Sequence, residues 1–130
     1  MSNAITTTAS GMLTLIHNGG LSIPKPFSKP ILLLWVPVMG LQFVNGITQL
    51  LNPLDKGNKL TLVREPENRY DKFAILVKDA DGQKIGYVPR RNNLVLARLM
   101  DAGKALYATV HDKSEAHAYP ELSIDVYMED

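Results

Sequence analysis

Apolar and polar positions alternate most clearly at the C-terminal end of the chain. The apolar positions are Leu122, Ile124, Val126 and Met128, and they alternate with Glu121, Ser123, Asp125 and Tyr127. Successive side chains of a β-strand point to opposite faces, so a period of two is typical of a strand with one buried face. The pattern predicts a core strand over residues 121–128.

Further apolar segments, separated by turn signals, extend the β pattern upstream. They are Ile31–Phe43, which predicts one long strand or two strands bent near Pro37 and Gly40, then Lys59–Arg64, Phe73–Lys78, Gln83–Val88 and Ala105–Val110. Residues 79–82, Asp-Ala-Asp-Gly, predict a four-residue loop that joins two of these segments into a β-hairpin.

Two segments favour helices instead. Asn92 or Asn93 is a candidate N-cap, because a short side-chain oxygen can accept from the free amides of a first turn. Apolar positions in residues 94–100 supply a buried face, and Gly103 ends the segment. Residues 8–18 predict a short N-terminal helix, which a proline-containing connector joins to the β segments.

Five or six short strands with one inserted helix predict a mostly β, α+β fold, a small twisted β-barrel of the OB or SH3-like kind. A chain of 130 residues has the size of one domain with one core. We expect residues 31–130 to form the barrel domain and residues 1–30 to form an N-terminal extension that packs on the core.

The formal net charge is only +1, but the positive charge is concentrated. No acidic residue lies between Asp81 and Asp101, whereas four cations do: Lys84, Arg90, Arg91 and Arg98. A basic middle on a nearly neutral chain indicates a local anion-binding face.

The chain contains no cysteine, which excludes disulfides and cysteine nucleophiles and fits a reducing interior. Its N-terminus lacks the basic-then-apolar order of a secretory signal. The apolar run Ile31–Val38 is much shorter than the ~20 residues of a membrane helix. We therefore expect a cytoplasmic protein without a membrane partner.

The segment that follows the Lys59–Arg64 strand holds the main candidate site. A proline-containing turn there carries Asn68, Arg69, Tyr70, Asp71 and Lys72. Cations that contact phosphates, next to an aromatic ring that stacks a base, are typical of a nucleic-acid contact. The residue types alone also allow an Asx-type turn, in which Asn68 and Asp71 bond their own backbone.

A second motif follows ten residues later as Ile85-Gly86-Tyr87-Val88-Pro89-Arg90-Arg91. Arg90 and Arg91 precede the predicted helix, whose N-terminal amides would add to an anion site. The alternative is that Tyr87 packs on the barrel while both arginines are merely solvated in a loop.

In order and spacing, these two motifs resemble the HIRAN domain, a small β-rich module found fused to helicase-like remodellers and also alone in bacteria. The chain resembles a stand-alone bacterial-type member over roughly residues 38–128. The resemblance implies that the Asn-x-Tyr-Asp motif lies in a pocket for the free 3′ end of single-stranded DNA. Tyr70 would then stack the last base, Asp71 would accept a hydrogen bond from the terminal hydroxyl, and Asn68 would hold the turn or touch the base.

The resemblance also extends to residues 40–43, Gly-Leu-Gln-Phe, where eukaryotic HIRAN domains carry Gly-x-Arg-Tyr. Phe43 can still stack on a base, whereas Gln42 brings no charge to a phosphate. The eukaryotic histidine after the later glycine is Tyr87 here, and the proline before the motif tyrosine is Arg69.

Catalytic and metal chemistry find little support in the sequence. Residues 79–82 resemble the start of a calcium loop, but the twelfth position is Arg90 rather than an acid. The three histidines lack metal-ligand spacing, no Walker sequence is present, and no serine–histidine–aspartate grouping is evident. We expect no enzyme activity, no cofactor and no metal.

The sequence therefore favours a nucleic-acid-binding module for single-stranded DNA or DNA ends, acting in DNA repair or replication-fork processing. The alternative is a protein-interaction or structural domain that recruits a separately encoded helicase or nuclease. Colocation of Phe43, Tyr70, Asp71, Tyr87, Arg90 and Arg91 in one cleft would favour DNA, whereas scattered positions would favour the interaction domain.

Overall fold

The computed structural model describes residues 29–115 and 119–129. Six strands are present in this part: β1 (Ile31–Pro37), β2 (Lys59–Arg64), β3 (Ile75–Lys78), β4 (Lys84–Tyr87), β5 (Ala105–Ser114) and β6 (Glu121–Glu129). The helical elements are a 3-10 helix at Leu41–Phe43, α1 at Ile47–Leu51 and α2 at Arg90–Asp101. The predicted helix at residues 8–18 and the packing of the N-terminal extension lie outside the described residues.

The strands form one antiparallel sheet in the order β1-β6-β5-β2-β3-β4. One face of the sheet and both α-helices contribute to a single apolar cluster. Its members include Leu51, Leu60, Ile75, Val77, Ile85, Leu96, Ala97, Val110, Ile124 and Val126, all at most 2% exposed. The mostly β, OB-like architecture expected from the sequence is thus confirmed. None of the helices in the described part is long and apolar enough to cross a membrane.

The two ends of the sheet approach each other just after β1. Met39 donates its N–H to the carbonyl of Tyr87 at 2.8 Å and accepts the N–H of Tyr87 at 2.9 Å. Gly86 permits this approach, because a Cβ there would lie 2.5 Å from the Met39 carbonyl oxygen. One isolated bridge joins the two sides, so the expected barrel is not closed: β1 and β4 remain the edges of an open sheet.

Some predicted element boundaries are wrong. The apolar run from Ile31 does not continue as strand to Phe43, because Gly40 adopts φ 82° and turns the chain into the 3-10 helix. Neither Asn92 nor Asn93 is the N-cap of α2, which begins at Arg90 after Pro89. Proline suits this position, since its missing N–H needs no partner there.

The C-terminal alternation predicts β6 correctly. Leu122, Ile124 and Val126 are at most 2% exposed, whereas Met128 is only partly buried. β6 lies between β1 and β5 and pairs with both, so it satisfies the backbone of two neighbouring strands. Both the core and the sheet order therefore depend on this strand.

We expect Ile124→Ala to lower the free energy of unfolding by ~2–5 kcal/mol, because it leaves a cavity at a fully buried position. Val95→Ala, at a helix position that is 64% exposed, should change it by less than ~0.5 kcal/mol. Urea denaturation measures the free energy of unfolding of both variants.

A chain that ends at Pro120 should not fold, whereas removal of residues 1–22 should lower the free energy of unfolding much less. Cooperative melting of the shorter C-terminal variant near the full-length temperature would contradict this role of β6.

Candidate nucleic-acid interface

The turn between β2 and β3 is organised by Asn68. Its Oδ1 accepts the backbone N–H groups of Tyr70 at 2.9 Å and of Asp71 at 3.1 Å. Its Nδ2 donates to Oε1 of Glu65 at 3.0 Å. This is the Asx-type turn that the residue types alone allow. It fixes the backbone on both sides of Tyr70, whose side chain remains 79% exposed.

Asp71 ties this turn to α2. Its Oδ1 accepts the N–H of Phe73 at 2.9 Å, and its Oδ2 accepts Nδ2 of Asn93 at 2.6 Å. Nε of Arg90 lies 3.6 Å from the same Oδ2, and the Arg90 guanidinium also donates to the carbonyl of Tyr70. The turn and the first turns of α2 therefore form one unit.

These contacts keep Asp71 ionised. Burial by itself would raise the pKa of Asp71, but the hydrogen bonds from Phe73 and Asn93 and the charges of Arg90 and Arg64 lower it below its usual range. Two carboxylate oxygens offer about four acceptor positions, and the side chain is 18% exposed. Asp71 is thus a charged acceptor with room for a further donor.

A second anchor holds the turn at its other end. The Arg64 guanidinium donates to both carboxylate oxygens of Asp101, at 2.9 and 3.1 Å, and to the carbonyls of Lys72 and Ala74. Asp101 is the last residue of α2. Arg64 therefore has a structural role, because its guanidinium is paired with the Asp101 carboxylate within the chain.

Tyr87 reaches the turn from β4. Its hydroxyl donates to Oε1 of Glu65 at 2.8 Å. Burial, together with the hydrogen bond to the neighbouring Glu65 carboxylate and its charge, raises the pKa of Tyr87 to about 12. Burial would raise the pKa of Glu65 as well, but the hydrogen bonds from Asn68 and Tyr87 and the charges of Lys84 and Lys78 lower it. Tyr87 is therefore a neutral donor and Glu65 an ionised acceptor.

An open cavity of about 490 Å³ lies between the turn, β4 and the start of α2. Six of the ten predicted site residues line it, namely Asn68, Tyr70, Asp71, Tyr87, Arg90 and Arg91. Arg91 is exposed and makes no ion pair with any described residue. Since α2 has no acidic residue in its first turn, its N-terminal partial charge adds to that of the two arginines.

Four predicted residues do not line this cavity. Phe43 is 84% exposed on the 3-10 helix, and Gln42 lines a separate groove of about 590 Å³. The Arg69 guanidinium lies 6.0 Å from the centroid of the Tyr70 ring. The Lys72 ammonium lies 5.3 Å from that of Phe73. Met39, 48% exposed, lines both the cavity and the groove, so it stands between the two sets.

Sequence reasoning missed three residues that build the cavity. Glu65 orients Tyr87 and Asn68, Asn93 orients Asp71, and Met39 forms part of the wall. Asn93 is 3% exposed inside a helix, where asparagine is unfavourable without a specific partner. A polar residue on the apolar side of α2 was therefore a signal that the sequence did contain.

An OB-like sheet that carries a basic, aromatic-lined cavity defines a nucleic-acid-binding module. The family model of the HIRAN domain matches residues 31–129, and the chain belongs to that family. The chain is 34% identical over 64 residues to the helicase-like transcription factor of Oryctolagus cuniculus and 33% identical over 64 residues to that of Mus musculus. Each match covers 49% of this chain and 6% of the relative, so the chain spans a small part of these proteins.

Two solved structures are similar to this chain. A protein from Lactobacillus plantarum has a TM-score of 0.72 and 32% identity, with 78% of this chain and 98% of that chain covered. The crystal structure of the HIRAN domain of human HLTF has a TM-score of 0.57 and 24% identity, with 75% of this chain and 76% of that chain covered. At 24% identity, the similarity to the human HLTF domain shows a shared fold and nothing further.

We expect Tyr87→Phe to raise the pKa of Glu65, because the carboxylate loses one of its two side-chain hydrogen bonds. A lowered carboxyl pKa stabilises the folded state above the unfolded value of ~4.3, and this contribution is lost as pH falls through the folded pKa. The variant should therefore lose less stability on acidification. Carbon-13 NMR titration of the Glu65 carboxyl measures the shift directly. Tyr127→Phe, on another part of the sheet, is the control, and an unchanged Glu65 pKa in Tyr87→Phe would refute the coupling.

Proposed function

We propose that this chain binds single-stranded DNA and receives the 3′ end in the cavity formed by the turn, β4 and α2. The observation that carries the proposal is the convergence of Tyr70, Asp71, Tyr87, Arg90 and Arg91 on this cavity. It combines an exposed aromatic ring, an ionised acceptor and two arginines. Phosphate contacts and base stacking are the two elements of single-strand binding.

Each side chain has a separate role in this proposal. Tyr70 stacks the terminal base, because its ring is 79% exposed while Asn68 fixes its backbone. Asp71 accepts a hydrogen bond from the terminal 3′ hydroxyl at its remaining acceptor position. A carboxylate repels phosphate, so its presence among arginines favours a hydroxyl donor over a terminal phosphate.

Arg90 and Arg91 have different roles in this proposal. Arg91, which has no ion-pair partner in the described part, contacts a phosphate. Arg90 orients Asp71 and Tyr70 and adds its charge to the rim, where its side chain is 71% exposed. Arg69 and Lys72 lie on the turn and contribute to attraction at longer range.

Phe43 and Gln42 do not line the cavity and have a minor role in this proposal. Phe43 is 84% exposed on the 3-10 helix that follows Met39, where it is available to stack a base outside the cavity. Gln42 offers hydrogen bonds without charge. We expect this side to contribute less salt-dependent affinity than Arg91.

This binding role requires no chemical step by the chain. A separate helicase or nuclease would process the bound DNA end in DNA repair or at replication forks.

A protein-interaction function is the second candidate. It is favoured by the groove of about 590 Å³, which contains Asp112, Glu121 and the exposed Tyr119. Lys113 in this groove donates to the carbonyls of Leu51 and Asn52, so its ammonium is already engaged. Carboxylates suit a protein partner there better than a phosphate backbone.

Tyr70→Ala should weaken binding of a 3′-hydroxyl oligonucleotide by roughly 5- to 150-fold, since one stacked base is worth ~1–3 kcal/mol. Tyr119→Ala, which removes a tyrosine that is 65% exposed but lies outside the cavity, is the matched control and should leave the affinity unchanged. Fluorescence anisotropy with labelled oligonucleotides measures both variants.

In the same assay, an oligonucleotide with a 3′ hydroxyl should bind more tightly than the same sequence with a 3′ phosphate. Asp71→Asn should reduce this difference, because a neutral amide no longer repels the phosphate. Equal affinity of the wild-type protein for the two ends would remove Asp71 from its proposed role. Equal losses in Tyr70→Ala and Tyr119→Ala would remove the cavity as the binding site.

A further inference from the structure

One row of side chains crosses the outer face of the whole sheet. The strand registers place Leu32 opposite Tyr127, Tyr127 opposite Tyr107, Tyr107 opposite Thr61, Thr61 opposite Lys78, and Lys78 opposite Lys84. The row is apolar and aromatic on β1, β6 and β5, where Tyr107 and Tyr127 stack with centroids 5.4 Å apart. It is cationic on β3 and β4.

The pairing of Lys78 with Lys84 has an energetic cost. The register of β3 and β4 shifts between Val77 and Lys78, so this pair lies at an irregularity of the ladder. Like charges that face each other across antiparallel strands destabilise the pairing. Lys84 is exposed and Lys78 is partly exposed. Neither lysine takes part in an ion pair with residues 29–115 or 119–129. Two adjacent ammonium groups that make no ion pair in the described part can attract an anionic ligand.

This lysine pair is continuous with the cavity. The Lys84 ammonium lies 4.8 Å from the centroid of the Tyr87 ring, and Tyr87 is a wall of the cavity. Burial raises the pKa of Glu65 whereas the charges of both lysines lower it, and the Glu65 carboxylate already accepts from Tyr87 and Asn68. Asp79, next to Lys78, is 8% exposed and accepts the N–H groups of Asp81 and Gln83 in the hairpin loop. Both carboxylates thus already accept hydrogen bonds from other groups of the chain.

We propose that Lys78 and Lys84 form a second phosphate-binding site, which holds the single strand where it leaves the cavity. This inference rests on the function proposed above and extends it to the path of the strand, from Tyr87 outward across β4 and β3. The long lysine stems let the two ammonium groups contact neighbouring phosphates. Thr61, the exposed next member of the row, adds a hydroxyl beside them.

The test compares oligothymidylates of two lengths, both with a 3′ hydroxyl. A trinucleotide fills the cavity alone, whereas a dodecanucleotide also reaches the lysine pair. The variant is Lys78→Gln with Lys84→Gln. The matched control is Lys56→Gln with Lys104→Gln, which removes the same charge from two exposed lysines outside the cavity and the row. Circular dichroism melting verifies that both double variants are folded.

For the dodecanucleotide, the log–log salt dependence of the affinity should become about 1.4 shallower in Lys78→Gln/Lys84→Gln, since each single-strand phosphate contact contributes ~0.7. If the wild type and the variant converge near 1 M salt, this corresponds to about 25-fold weaker binding at about 0.1 M. The trinucleotide should bind the variant as it binds the wild type, and the control should keep the wild-type slope with both ligands.

The outcomes separate the two proposals. Normal trinucleotide binding with a dodecanucleotide slope equal to that of the control would overturn the lysine site and leave the cavity intact. An equal loss for both lengths would also overturn it, since the lysines would then act on the cavity itself. Failure of the wild-type protein to bind either length would overturn both proposals. Lysine-dependent binding of polyglutamate as tight as that of the dodecanucleotide would assign the patch to an acidic protein instead.

Discussion

The carboxylate of Asp71 joins the turn between β2 and β3 to α2. It accepts hydrogen bonds from the backbone N–H of Phe73 and from Asn93 inside α2, and it forms an ion pair with Arg90 at the helix start. Without this junction the turn would be held to α2 by the hydrogen bond from Arg90 to the Tyr70 carbonyl and, at the far end, by Arg64 and Asp101. A partly buried polar network of this kind is stabilising when its members have partners, and it favours one arrangement of its side chains. The position of Tyr70 and the width of the cavity follow from it.

The charge arrangement explains how a chain with net charge +1 presents a basic surface. Two acidic side chains near the site are engaged within the fold: Glu65 by Asn68 and Tyr87, and Asp101 by Arg64. Their charge is offset locally, while Arg91 and the Lys78–Lys84 pair have no ion-pair partner in the described part. Local attraction of an anion depends on this distribution rather than on the total charge.

Features that are local in the sequence could be predicted, and features that join distant segments could not. The alternation of β6, the strand Lys59–Arg64 and the Asx turn at Asn68 each depend on neighbours within a few residues. The bonds from Asn93 to Asp71 and from Tyr87 to Glu65 each span 22 residues, so no pattern along the chain indicates them. An apolar run cannot by itself distinguish a strand from a short helix. For this reason the 3-10 helix was missed, and with it the separation of Gln42 and Phe43 from the cavity.

Nitrogen-15 NMR during titration with a 3′-hydroxyl oligothymidylate maps where single-stranded DNA contacts this chain, because each backbone amide reports on its own surroundings. If the strand binds in the cavity between the turn and α2, we expect the largest shift changes at Tyr70, Asp71, Arg90 and Arg91, with smaller changes toward Lys84. Changes confined to the groove around Gln42 and Tyr119, or no changes at saturating DNA, would rule out this binding site.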